Sequence, residues 1–176
     1  IGRTLAACRQ AVVDIRSCLD WLEQQGYEQF GVLGTILGSC YAFIASAHDA
    51  RLQVNAFNHA SLWMGDVVWT GQSTRHVRAA CEQAGLTLND LRVLWSGASP
   101  MSYMDEFAGA NAEGQPLDRT PPWPRKRARV IYAPYDLTFL REFSEGVLRE
   151  LSKRDMDYDA KVLPCGHYTT GETPYK

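Results

Sequence analysis

A five-residue turn in this chain has the spacing of a catalytic motif, but its centre lacks the residue that would do the chemistry. The segment Gly34-Thr35-Ile36-Leu37-Gly38 follows the pattern G-x-S-x-G, whose serine attacks an acyl carbon. Ile36 stands at the centre and has neither a hydroxyl nor a lone pair, so nucleophilic catalysis by its side chain is excluded. The sequence therefore predicts the turn of a nucleophile elbow without its nucleophile.

The two glycines predict the backbone shape of this turn. We expect Gly34 and Gly38 to be required because the turn is tight, and we expect the central residue to have a positive φ. A β-branched side chain is a poor occupant of that region, so Ile36 should cost about 1–3 kcal/mol of stability if the strained backbone persists. The alternative is that the turn relaxes.

Three neighbouring side chains carry a hydroxyl or a thiol, but none is expected to replace the nucleophile. Thr35 points the other way at the end of a strand. Ser39 and Cys40 lie one turn further along the next helix, where small residues are expected to pack against the sheet.

The elements around this turn alternate between strands and helices. Apolar spacing predicts strands at 30–33, 52–57, 128–133 and 160–163, and helices at 3–25, 38–48, 73–84, 87–95 and 138–154. This order is typical of an α/β fold with a mostly parallel sheet, flanking helices and right-handed crossovers. Four strands with this many helices make a half-covered sheet, so we expect further strands earlier in the intact protein.

The segment between the second and third predicted strands differs in character from the rest. Residues 60–117 alternate short helical patterns with Gly, Ser and Pro breaks. We interpret them as a cap-like insertion over the sheet edge, within one domain that spans residues 1–176.

Composition and charge exclude several classes of protein. The chain has 176 residues, 45% of them apolar and 22% charged, which suits one domain with a core. Its 18 Lys and Arg residues against 20 Asp and Glu residues give a net charge of -2, which argues against nucleic acid as a partner. No apolar run reaches the roughly 18 residues that a transmembrane helix needs.

The cysteines and histidines do not predict a metal site. The 5 cysteines are widely spaced without a C-x-x-C pair, which excludes zinc-ribbon and thioredoxin-like sites and favours reduced thiols in the cytoplasm. The local pair His48-Asp49 offers too few ligands, so we expect no metal and no cofactor. Because the chain begins with Ile rather than Met, the lack of a leader peptide says nothing about compartment.

Together with these elements, three segments resemble the C-terminal two-thirds of an α/β-hydrolase. Residues 34–38 resemble the elbow after that family's fifth strand. Tyr132-Ala133-Pro134-Tyr135-Asp136 and Leu163-Pro164-Cys165-Gly166-His167 follow predicted strands where the family has its acidic residue and its histidine. The chain is most similar to bacterial proteins of the α/β-hydrolase domain-containing 18-like type, whose elbow would read Gly-Thr-Ser-Leu-Gly-Ser.

The resemblance implies a serine hydrolase that acts on a carboxylic ester or a related acyl substrate and uses no cofactor. In that interpretation His167 takes the proton of the nucleophile, Asp136 holds the imidazole, and the backbone N–H of Leu37 donates to the oxyanion. The second oxyanion donor of the family belongs to a loop that would precede residue 1. Because Ile36 replaces the nucleophile, this copy is expected to be inactive or impaired.

The lining of the substrate pocket is predicted less directly. His59 follows the second predicted strand near the expected cleft, and Trp63 belongs to the insertion, where aromatic side chains often form an acyl pocket. Thr35, His59 and Trp63 are therefore expected to line the pocket, with core packing as the alternative for the tryptophan.

Other interpretations remain open at the level of the sequence. Asp136 stands just before the helix predicted at 138–154 and suits a helix N-cap as well as an acid. The protein is alternatively a pseudo-hydrolase that binds an acyl or lipid ligand or a protein partner without turning it over. A homo-oligomer or a second chain that completes the sheet is the third possibility.

Overall fold

The structure, a computed structural model, describes residues 1–110 and 125–172. The strands in that part of the chain are β1 (Phe30–Thr35), β2 (Leu52–Asn58), β3 (Arg127–Tyr132) and β4 (Asp157–Val162). The helices are α1 (Gly2–Gln24), α2 (Leu37–His48), α3 (Met64–Thr70), α4 (Arg75–Gln83), α5 (Leu88–Leu94), α6 (Met104–Ala108) and α7 (Arg141–Lys153). Residues 111–117 of the predicted insertion lie outside the described residues.

The four strands form one parallel sheet in the order β1-β2-β3-β4. Parallel neighbours need crossovers, and helical segments supply them between successive strands. All four strands therefore end at the same edge of the sheet, where Asn58 pairs with Thr35 and Val162 pairs with Tyr132. The α/β class and the parallel sheet predicted from the sequence are confirmed.

Helix α2 packs close to the sheet because it consists largely of small residues. Its inward side chains join a core with β2, β3 and α7, in which Phe43 stacks on Phe107 with ring centroids 4.3 Å apart. A second core joins α1 and α2 to α3 and α5 through residues such as Ile44 and Leu91. The sequence pattern predicted neither α3 nor α6, since both are short.

The opposite face of the sheet is exposed in the described part of the chain. Leu33 on β1 is 68% exposed and Val54 on β2 is 59% exposed. The predicted half-covered sheet is therefore present in these residues.

Two elements, β4 and α7, begin three residues away from the position that the sequence pattern predicts. β4 begins at Asp157 rather than at 160, because its backbone pairs with β3 through residues that are mostly exposed and polar. α7 begins at Arg141 rather than at 138, because the backbone N–H groups of Thr138 and Phe139 donate to the side chain of Asp136 instead of entering the helix. No helix among the described residues is long and apolar enough to cross a membrane.

The turn between β1 and α2 requires one of its two glycines and not the other. A Cβ on Gly34 would lie 2.4 Å from the carbonyl oxygen of Gly38 and 2.6 Å from the Cα of Ser39. A Cβ on Gly38 would have no atom within 4 Å. The expectation that both glycines are required is thus wrong for Gly38, because its Cβ direction leads into open space.

We expect Gly34→Ala to lower the free energy of unfolding by about 2–3 kcal/mol, because the added methyl group meets backbone atoms that have no freedom to move aside. The matched control Gly38→Ala should cost nothing and gain up to about 1 kcal/mol, since alanine is the better helix former. Urea denaturation of both variants measures the difference. Equal stabilities for the two variants would contradict the close approach at Gly34.

Candidate active site

Ile36 alone connects β1 to α2 and has an unusual backbone conformation. Its φ is 59° and its ψ is -123°, so the positive φ predicted from the glycine spacing is confirmed and the turn has not relaxed. Its N–H donates to the carbonyl of Asn58 at 2.9 Å, and its carbonyl accepts from the N–H of Ser39 at 3.0 Å. These bonds hold a β-branched residue in a conformation that costs about 1–3 kcal/mol.

The N-terminal end of α2 lies beside this strained residue. Leu37 is the first residue of α2, and the first backbone N–H groups of a helix have no acceptor within the helix. A peptide N–H without such an acceptor is able to donate a hydrogen bond to an oxyanion. The role of Leu37 as the oxyanion donor stays a prediction.

Asp136 lies in the connection after β3, and its carboxylate is completely buried. Oδ1 accepts hydrogen bonds from the backbone N–H groups of Thr138 at 2.7 Å and Phe139 at 2.9 Å. The N-cap of α7 is Leu140, so Asp136 fixes the connection before the helix and is not its N-cap. Its other oxygen, Oδ2, faces the side chains of His59 and His167.

His167 meets that second oxygen. Its Nδ1 lies 2.7 Å from Oδ2 of Asp136, and its ring stacks on Phe139 with centroids 6.0 Å apart and planes inclined by 11°. A carboxylate only accepts hydrogen bonds, so the proton belongs on Nδ1 and leaves Nε2 as the basic nitrogen. The structure thus brings together the acid and the histidine named from the sequence, although 31 residues separate them along the chain.

The charge of Asp136 is maintained despite its burial. Burial raises the pKa of this carboxyl, but the contacts with His59 and His167 and the two backbone N–H groups lower it to about 2, from an ordinary value of 3.8. The carboxylate is therefore ionised at neutral pH.

A second histidine also faces this carboxylate, and the sequence did not predict it there. The side chain of His59 is 0% exposed, and its Nδ1 lies 2.7 Å from Oδ2 of Asp136. In spite of this short distance, Nδ1 of His59 and Oδ2 of Asp136 are not aligned well enough to form a hydrogen bond. A proton on Nδ1 makes this short contact favourable, because an N–H attracts the carboxylate whereas a bare ring nitrogen repels it.

His167 also lines an apolar cavity of about 140 Å³ together with Ile36. The apolar lining comes mainly from the start of α2, the inward side of α3 and the connection before α7: Leu37, Met64, Val67, Val68 and Phe139. A more open cleft of about 390 Å³, lined partly by Arg75 and Tyr135, shares the lining residues Ser73, Thr138 and His167 with the cavity. The side chain of His167 therefore lines both spaces.

The three residues expected to line the pocket do not line this cavity. Thr35 lies on the exposed face of β1, and His59 is enclosed behind Asp136 without exposed surface. Trp63 precedes α3, whereas the cavity wall is formed by positions 64, 67 and 68, which share one side of that helix. Nothing in the sequence indicated which side of α3 faces the cavity.

The same acid and two histidines are the only group of potential metal ligands that converge within the described ranges. His59, Asp136 and His167 each offer one ligand atom, and these atoms lie within 4.8 Å of one another. Both nitrogen–oxygen distances are 2.7 Å. Ligands of a tetrahedral zinc ion at its usual bond lengths lie about 3.3 Å apart, so this spacing fits hydrogen bonds better than a metal ion.

No protein-family model and no curated protein sequence matches the chain, but solved structures match its fold. A Mycobacterium tuberculosis puromycin-hydrolyzing peptidase superposes on 89% of this chain and 22% of its own, with a TM-score of 0.65 and 11% identity. A Pyrococcus horikoshii acylaminoacyl peptidase gives a TM-score of 0.61 over 89% of this chain and 22% of its own, with 11% identity. A cold-adapted esterase from an Arctic intertidal metagenomic library gives 0.54 over 93% of this chain and 52% of its own, with 12% identity.

At these identities the likeness concerns the fold alone. The chain spans about a fifth of the length of the two peptidases and about half that of the esterase. The predicted partial α/β-hydrolase fold, with a parallel sheet and flanking helices, is confirmed.

The low pKa of Asp136 gives this site a pH-dependent contribution to stability. Because the folded pKa, about 2, lies below the ordinary value of 3.8, the contribution is complete above about pH 5 and disappears as the pH falls to 2. Between those pH values the free energy of unfolding should fall by about 2 kcal/mol more in the native chain than in Asp136→Asn. Urea denaturation at pH 5, 3.5 and 2 measures this, and parallel pH profiles would refute it.

Proposed function

We propose that the chain carries the site of an α/β-hydrolase-type serine hydrolase for carboxylic esters or related acyl compounds, with Ile36 in the position of the nucleophile. The observation that carries the proposal is the φ of 59° at Ile36, in a turn whose residue shares a cavity with His167. A β-branched residue has no intrinsic reason to adopt this conformation, so the surrounding fold imposes it.

Each remaining residue has a defined role in this proposal. With a serine at position 36, Nε2 of His167 accepts the hydroxyl proton as the oxygen attacks the acyl carbon, and Asp136 stabilises the imidazolium. The N–H of Leu37 donates to the oxyanion. In the native chain the first step has no attacking oxygen from residue 36, and loss of the serine costs about a million-fold in a hydrolase such as subtilisin.

The finer predictions from the sequence belong to the same proposal. The helices within 60–117 act as the cap, since α3 contributes three residues to the cavity wall. Similarity to the domain-containing 18-like type, a cytoplasmic location and a homo-oligomer or completing chain remain parts of this hypothesis.

A second candidate function is binding of an apolar acyl ligand without turnover. The apolar lining of the cavity favours it, because Ile36 adds a hydrocarbon surface where an enzyme would have a hydroxyl. A cavity of about 140 Å³ has room for a group about as large as benzene.

We expect Ile36→Ser in the full-length protein to react with a fluorophosphonate probe at residue 36, because the imposed turn presents the new hydroxyl beside His167. Adding His167→Ala should slow labelling by about 100-fold or more, since the general base is removed. Ile36→Ala, which lacks a hydroxyl, is the matched control and should not be labelled at that residue. Mass spectrometry of the labelled peptides measures all three. A folded Ile36→Ser protein that is not labelled would oppose the hydrolase proposal.

The binding candidate predicts that the native chain binds methyl butyrate in the cavity. The Ile36 and Val68 methyl resonances should shift on titration, and Val68→Phe should weaken binding about tenfold or more because the larger ring fills the space. Val54→Phe, on the exposed face of the sheet, is the matched control and should bind like the native chain. Equal binding by both variants would place the ligand elsewhere.

A further inference from the structure

His59 is held in an unusual conformation at the end of β2. It follows Asn58, the last residue of the strand, and has a φ of 58°. Its N–H donates to the carbonyl of Ile131 at 2.8 Å, and its carbonyl lies 2.9 Å from the hydroxyl of Ser39. A non-glycine residue in this region carries strain that the surrounding contacts must maintain.

The hydroxyl of Ser39 connects this strained residue to the elbow. It lies 2.6 Å from the carbonyl oxygen of Ile36 and 2.9 Å from that of His59. A hydroxyl has one proton, so it donates to one of these oxygens at a time, but both strained residues remain within its reach. The hydroxyl of Ser39 therefore links the turn at Ile36 to the end of β2 at His59.

The ring of His59 has a polar contact on each side. Nδ1 lies 2.7 Å from Oδ2 of Asp136, and Nε2 lies 3.1 Å from the hydroxyl of Thr170. With the proton on Nδ1, a neutral ring has its lone pair on Nε2, where the Thr170 hydroxyl is placed to donate. The same hydroxyl lies 3.4 Å from Nδ2 of Asn58 and 3.5 Å from the carbonyl oxygen of His167. Thr170 lies three residues beyond His167, in a short 3₁₀ helix (Thr169–Gly171) that continues the connection after β4.

We propose that His59 is a positioning residue of this site: its ring holds the carboxylate of Asp136 and, through Thr170, the loop that carries His167. The inference deepens the proposed function, because it concerns the same acid–histidine pair. Three connections at the carboxyl edge of the sheet meet at this one buried ring, those after β2, β3 and β4.

The geometry distinguishes this role from ordinary core packing. Packing requires only the volume of the ring, which an unbranched apolar side chain supplies almost as well. Positioning requires an N–H toward Asp136, because the two backbone N–H groups hold only Oδ1, and without His59 the hydrogen bond at Oδ2 comes from His167 alone. The acid–histidine hydrogen bond should then open more often.

The test measures that opening in the native chain, where residue 36 remains Ile. The measured quantity is the rate at which the Nδ1–H proton of His167, which points to Asp136, exchanges with solvent. NMR of ¹⁵N-labelled protein measures this rate. The chain has 4 histidines, and His167→Gln identifies the resonance by its loss.

We expect His59→Met to speed this exchange by about tenfold or more, while His59→Gln, whose amide supplies an N–H, stays within about threefold of the native rate. Native exchange in a folded His59→Met protein would overturn the proposal, because the ring would then serve only to fill space. The measurement does not involve residue 36, so failure of Ile36→Ser to react with the probe leaves its outcome unchanged.

A second pair of variants keeps the proposal testable if His59→Met does not fold. Thr170→Val has nearly the same shape but lacks the hydroxyl that contacts Nε2, and Thr170→Ser restores it. Exchange of the backbone amides at 166–170 should become about tenfold faster in Thr170→Val and return toward the native rate in Thr170→Ser. Equal exchange in both variants would overturn the link to the histidine loop.

Discussion

The carboxylate of Asp136 is the interaction on which the arrangement of this site depends. It is completely buried, and its two oxygens face two backbone N–H groups and two imidazole nitrogens at distances of 2.7–2.9 Å. A buried charge is stable only when it is satisfied in this way. The connections after β2, β3 and β4 are therefore tied to one another through a single side chain.

The second constraint is the close approach of α2 to the end of β1. Because the backbone of α2 lies within 3 Å of the point where a Cβ on Gly34 would be, the chain must turn sharply, and Ile36 takes the positive φ. The fold thus imposes the geometry of an elbow on a residue that disfavours it. That strain persists without a nucleophile because it is a property of the strand–helix junction, whatever side chain occupies the junction.

The sequence was informative wherever a local pattern had a physical cause. Apolar runs predicted β1, β2 and β3, the glycine spacing predicted the elbow, and the resemblance to α/β-hydrolases implied the acid–histidine pair. The sequence failed where the cause was not local. β4 is stabilised by pairing with β3 rather than by its own apolar content, a Cβ on Gly38 would meet only open space, and the cavity wall depends on which side of α3 turns inward. Single-residue signals predicted Thr35, His59 and Trp63 as pocket residues, and none of the three lines this cavity.

The resemblance to α/β-hydrolases implied that Asp136 and His167 pair, whereas the sequence by itself determined the α/β class, the parallel sheet and the absence of a nucleophile at position 36. These follow from periodicity, side-chain chemistry and the rule that parallel strands end at one edge of a sheet. Only the tertiary structure decided that Ile36 remains strained, that the carboxylate stays ionised although buried, and that His59 shares it. Those facts depend on distances between atoms far apart in the chain, which residue order does not encode locally.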